Sequence, residues 1–213
     1  MISSSVDLGA STLLLGPVRG LLADAKAVGQ ALEGFRPEAV GAGVAPEELR
    51  GLVEYFVASP AEPVVPLAPA ELSEVRGLCR FGEVRVPNPA FLAALDWGAA
   101  HSAPVLALDP SEEETAALFT QHIGYFELVR RTVREHRLGR SPPTSSSADA
   151  FALSWDGSVG GGRGSRRFTA ARDDHFARGA RRLGTEHRSL ALVVDRERYE
   201  SVRARLGAGP GTR

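Results

Sequence analysis

The chain has 213 residues, 43 % of them hydrophobic and 24 % charged, with a formal net charge of −1. That length suits a single α/β domain burying roughly 70 % of its unfolded surface. A near-neutral balance supplies no field to gather nucleic acid or an anionic membrane, one cysteine excludes a disulfide framework, and the apolar runs are shorter than a membrane span. The expectation is a cytoplasmic protein with neither nucleic acid nor membrane as partner. Lys26 is the only lysine, so nearly all basic side chains are arginines.

Residues 11–15 (STLLL) are short, apolar and closed by Gly-Pro, which predicts a buried parallel strand. Leu21, Leu22, Ala25, Val28, Ala31 and Leu32 recur at three- and four-residue spacing and predict an amphipathic helix, with Gly34 as its stop. A second strand is expected at Ala39–Ala42. A helix follows from Pro46, where Glu47 and Glu48 suit the positive end of the helix dipole. The proline-rich stretch 59–70 reads as an extended connection, followed by a short helix over 70–79. Asn88 caps a helix that opens with Pro89 and runs to about His101, and a strand is expected at Val105–Leu108. Helical character resumes from Glu112 to about Arg137. Residues 140–168, rich in Ser, Pro and Gly, read as a flexible connection with a weak hairpin at Asp156-Gly157. A helix over 170–183, a strand over 189–194 and a charged helix over 196–206 complete the chain. Alternating short apolar strands and amphipathic helices predict a three-layer α/β sandwich with a mostly parallel central sheet.

Few constellations carry chemistry. The glycine cluster GGGRGS at 160–165 lacks the Gly-Lys-Ser/Thr ending of a phosphate loop and reads as a linker. The histidines at 101, 122, 136, 175 and 187 fall at no metal-ligand spacing. Neither a Gly-x-Ser-x-Gly elbow nor a Gly-x-Gly-x-x-Gly turn occurs, so no hydrolase serine or dinucleotide site is expected. Asp109 and Asp195, however, each follow a predicted strand directly. In open α/β sheets the carboxyl ends of strands line the ligand crevice. An equally simple alternative is that each aspartate caps the next turn or helix.

The order of segments resembles the TraB/PrgY family, relatives of the TIKI metalloproteases and of the erythromycin-esterase-like and ChaN-like folds. GPVR (16–19) is similar to the family's Gly-x-x-His turn, and RPEAVGAGV (36–44) to its Lys/Arg-Pro-Asp-x-Val-x-x-Glu-Leu segment. VPNPAFLAALDWGAAHSAPVLALDP (86–110) resembles the helix and strand that end in Ile-Asp-Arg. ARDDHFARGARRL (171–183) resembles the Glu-Arg-Asp-x-Tyr-Met-Ala helix, and LALVVDRER (190–198) the last strand with its Gly-x-Gly-His turn. The resemblance implies a TraB-like fold, but its metal-site positions are altered. The family's histidines correspond to Arg19 and Arg198, its strand glutamate to Gly43, its post-strand arginine to Pro110 and its helix glutamate to Ala171. A guanidinium has no lone pair to give a metal and stays protonated in a protein.

The expected function is therefore that of a degenerate TraB-like protein without metal or other cofactor. It would serve in binding or regulation, recognising a small anion or a protein partner and possessing no catalytic residues. Arg19, Gly20, Asp109, Arg172, Asp173, Asp195 and Arg198 are the expected ligand-binding residues. An alternative is an active hydrolase or transferase with a metal-free pocket around Asp109, Arg172, Asp173 and Asp195. A second is a structural subunit of a homo-oligomer. Arg19 and Arg198 with the N-terminus of helix 21–33 would make an anion site. Internal salt bridges, Arg19 with Asp109 and Arg198 with another acid, would instead close it.

Overall fold

The four apolar runs expected as strands all enter one sheet. The computed structural model describes residues 1–8, 10–58, 67–140 and 143–207. Among these, the strands are β1 (Ile2–Asp7), β2 (Ser11–Gly16), β3 (Ala39–Ala42), β4 (Val105–Ala107) and β5 (Ser189–Val193), in the spatial order β1-β2-β5-β3-β4. β2, β5, β3 and β4 run parallel. β1 lies antiparallel on the edge, with Ile2 opposite Gly16 and Asp7 opposite Ser11. The sequence predicts no strand over β1, whose three serines give no apolar alternation; pairing with β2 supplies its ladder.

The helices are α1 (Leu22–Phe35), α2 (Pro46–Ala58), α3 (Pro69–Leu78), α4 (Pro89–His101), α5 (Glu112–His122), α6 (Tyr125–Arg140), α7 (Ala148–Val159), α8 (Arg163–Glu186) and α9 (Arg196–Gly207). Side chains leave alternate faces of a strand, so adjacent residues enter different cores. Leu15, Ala191 and Val193 pack with Val28 and Leu32 of α1, Leu52 of α2 and Phe91 of α4. Leu14, Leu190 and Leu192 pack on the other side with Phe176 and Ala180 of α8 and Tyr199 and Val202 of α9. Both faces of the sheet are thus covered, which is why its strands read as unbroken apolar runs.

Several expectations need correction. Gly34 does not end α1: the chain leaves at Arg36, whose φ of 52° is left-handed and whose N–H bonds the Leu32 carbonyl. The expected helix from Glu112 to Arg137 is two, α5 and α6, separated at Ile123-Gly124. Residues 59–66 of the expected proline-rich connection lie outside the described residues, as do 141–142 of the Ser/Gly-rich stretch. The rest of that stretch is largely helical, and Asp156-Gly157 lies inside α7 rather than in a hairpin.

Two contacts explain the last correction. Ser147 caps α7 by accepting a hydrogen bond from the Ala150 N–H at 3.2 Å, and Phe151 and Trp155 then enter a third core with Val18, Leu21 and Leu78. The Phe151 ring lies so close to Gly77 of α3 that a Cβ there would overlap it. α8 begins seven residues earlier than expected because α6 caps it from outside: the Glu127 carboxylate accepts from Gly164 N at 2.9 Å and Ser165 N at 2.7 Å. Such caps satisfy helix N–H groups that local sequence leaves open.

Candidate functional site

The carboxyl ends of the parallel strands share one edge of the sheet. Helices following β2 and β3 cover one face, whereas α8 and α9, flanking β5, cover the other. A crevice is expected where successive crossovers diverge in this way. A cleft of about 670 Å³ opens there, between the strand ends and α2, α3 and α4.

The turn after β2 is held by backbone geometry. Gly20 has φ +83°, a left-handed conformation suited to glycine, and its carbonyl accepts from Arg85 N at 2.9 Å. Asp24 in the first turn of α1 accepts from Val18 N at 2.7 Å and from the Met1 ammonium at 3.0 Å. Leu22 N donates to the Glu83 carbonyl at 3.0 Å, so the start of α1 is partly closed by the 82–85 segment. This limits the free N–H groups that the expected anion site would use.

Two ion-pair networks follow. In the buried one, Arg198 reaches Asp109 with both terminal nitrogens, at 2.7 and 2.8 Å, and Asp173 with Nε at 2.8 Å. The side chains of Arg198, Asp109 and Asp173 are 6 %, 1 % and 0 % exposed. Ser201 donates to the second oxygen of Asp173 at 2.6 Å, Arg172 adds a bond to Asp109, and Arg198 lies over the Phe176 ring. Burial works against charge here, but the guanidiniums of Arg198 and Arg172 outweigh it and hold the Asp109 carboxyl below its ordinary range.

The second network faces the cleft. Arg19 donates from Nε (3.1 Å) and Nη2 (2.5 Å) to one oxygen of Asp195, and Asn88 Nδ2 donates to the other at 3.1 Å. Glu197 stands 3.6 Å from Arg19 Nη2. The Asp195 carboxylate raises the Arg19 pKa further above its ordinary value. Burial, with Asp195 beside it, pushes the Glu197 carboxyl up to about 7.

Glu197 therefore stays protonated in the fold at pH values where the unfolded chain has lost that proton. The folded state binds more protons between about 4.5 and about 7, so this group's contribution to stability falls as pH rises across that window. Glu197→Gln fixes the neutral form and should flatten that decline. Urea unfolding at pH 5 and pH 7.5 tests it, and an unchanged slope would refute the assignment.

The expected site residues thus divide. Arg19, Gly20, Arg172 and Asp195 line the cleft; Asp109, Asp173 and Arg198 are sealed beneath it. Both aspartates after strands sit at the carboxyl edge and each is an ion-pair partner; Asp195 also stands directly before α9, where its carbonyl accepts from Arg198 N at 3.0 Å. The closing pairs are Arg19 with Asp195 and Arg198 with Asp109 and Asp173, in place of the expected Arg19–Asp109 pair. Sequence reading missed Glu48, Glu71 and Glu74 on the helical walls. Glu48 is legible in the sequence as an N-terminal glutamate of its helix, but nothing in its spacing points to a cleft.

A Cβ at Gly43 would meet Arg198 Nη1 at 3.5 Å, so a guanidinium stands where that strand end could have offered a ligand. Among the described residues no three His, Cys, Asp or Glu side chains gather closely enough to hold a metal. The same residues include no helix long and apolar enough to cross a membrane. The sequence matches no protein-family model and no curated protein.

Proposed function

We propose that the chain is a cytoplasmic, non-catalytic binding or regulatory protein of TraB-like three-layer architecture, with the strand-end cleft as its ligand site. One observation carries this reading. The buried Arg198 guanidinium occupies the floor of the strand-end region and engages both Asp109 and Asp173. Those are two of the three acids of a rewired active site: Asp109 is held bidentately by Arg198 and Asp173 by Arg198 Nε and Ser201, and a carboxylate so engaged is a poor general base. The cleft above is nevertheless open and concave, with polar groups set among apolar walls, as ligand sites commonly are.

Chelator dialysis should leave the melting temperature unchanged, and a panel of ester, peptide and phosphate-ester substrates should give no turnover. Turnover abolished by Asp195→Asn, or zinc or manganese retained at one equivalent, would overturn the reading.

A further inference from the structure

An amphipathic surface helix ordinarily lays its apolar stripe on the core and its charges in water. α6, which rests on α3 and α7, does the reverse. Its half-buried side carries Glu127, Arg131 and Glu135 beside Leu138, whereas Tyr125, Phe126, Val129 and Val133 are 74 %, 79 %, 44 % and 46 % exposed. These four side chains occupy about 100° of the helix circumference, and Arg130 and Arg137 fall within the next ~40°. On the same flank, Arg134 Nη1 lies 3.7 Å from where a Cβ on Gly161 would stand, so the arginines that open α8, Arg163, Arg166 and Arg167, continue the row. Both carboxylates of α6 are engaged elsewhere: Glu127 caps α8, and Glu135 pairs with Arg131 at 2.9 Å. Arg130, Arg137, Arg163, Arg166 and Arg167 are exposed and join no ion pair among the described residues.

We infer that α6 and the start of α8 form a docking face for an anionic lipid surface, separate from the cleft and independent of its role. The apolar stripe enters the headgroup region and the arginines meet lipid phosphates. An exposed stripe led by two aromatic rings marks a surface that another body covers, and the charge beside it selects that body. A second copy of the chain would set the same arginines against these and be repelled. A partner helix is seated by a groove, and a single convex helix offers none. A plane of phosphates touches the rings and the guanidiniums together, and guanidinium matches phosphate bidentately. Several arginines along an amphipathic helix are the arrangement that anionic lipid attracts, and lying on the surface needs no membrane-crossing helix. The net charge of −1, from which no membrane partner is expected, averages over the whole chain. The local excess arises only in the fold, where Glu127 joins α6 to the first turn of α8.

Co-sedimentation of the full chain with vesicles tests this, comparing phosphatidylcholine alone with an equal mixture of phosphatidylcholine and phosphatidylglycerol. The protein should bind the anionic vesicles and leave them as salt rises from about 0.05 M to about 0.5 M. Tyr125→Ser combined with Phe126→Ser should weaken binding at least about tenfold. Arg130→Gln combined with Arg137→Gln should weaken it about as much. Val57→Ser, which removes an exposed apolar side chain from α2, should leave binding unchanged. All five side chains lie in solvent, so circular dichroism of the variants should match the parent. No binding to anionic vesicles at about 1 mM lipid overturns the inference. Equal binding to both vesicle types overturns it too, as does binding that both double variants retain. A dimer lost in the double serine variant, or capture of an acidic helical peptide without vesicle binding, would give this face to a protein and overturn the lipid assignment.

Discussion

Arg198→Ala is expected to lower the unfolding free energy by about 3–5 kcal/mol at pH 7, among the largest effects of any single substitution in the chain. The cost arises from what remains rather than from what is lost. Asp109 and Asp173 are almost fully excluded from water, and without the guanidinium most of their charge has no counterpart. The pH dependence separates this cause from simple loss of packing. In the parent, Asp109 titrates below its ordinary range, so its contribution is complete above the unfolded value of about 4 and fades only as pH falls through the lower folded value. In the variant an unpaired buried carboxylate can escape by taking up a proton. The difference between parent and variant should therefore narrow as pH falls from 7 toward 4.5. Adding Asp109→Asn and Asp173→Asn to Arg198→Met removes the charges together and should recover part of the loss. Urea unfolding measures all of these, and a single-variant cost below about 1 kcal/mol at pH 7 would contradict the buried network.

Phe151→Ala should cost about 3–5 kcal/mol, as truncation of a fully buried aromatic ring does. Its neighbours cannot readily fill the space: the ring meets α3 at Gly77, stacks at 5.9 Å on Trp155 and tilts against Phe81 at 6.2 Å. The same substitution in a solvated connection, which the Ser- and Gly-rich composition of 140–168 suggests, would cost less than about 0.5 kcal/mol. Chemical unfolding thus decides between a docked α7 and a loose one with a margin of several kcal/mol. The removal of residues 158–164 would likewise be costly, because it takes away the end of α7 and the start of α8 that Glu127 caps.

The parallel strands were legible because each is an apolar run too short for a helix and closed by Pro, Gly or Asp; β3 and β5 are buried almost throughout, and β4 at the edge is half-buried. The placement of Asp109 and Asp195 at the carboxyl edge followed directly, since each is tied to its strand by sequence adjacency. α4 was equally plain, with Asn88 accepting from Ala90 N at 3.2 Å and Pro89 in the first turn. These features depend on neighbours within a few residues, and local composition determines them.

Tertiary structure decided everything that joins distant positions. β1 becomes a strand through β2, α7 becomes ordered through a core shared with Val18 and Leu78, and α8 starts where a carboxylate from α6 meets it. Arginine and aspartate pair with no sequence code, so three guanidiniums and three aspartates allow many matchings. The observed ones join residues 176, 89, 63 and 25 positions apart, which only the packed fold brings within hydrogen-bonding distance. That selection left Arg198 as a buried structural cation and gave Asp195 to Arg19. Glu48 and Glu74 line the remaining cleft because α2 and α3 fold over it, a non-local outcome that their own helical positions do not encode.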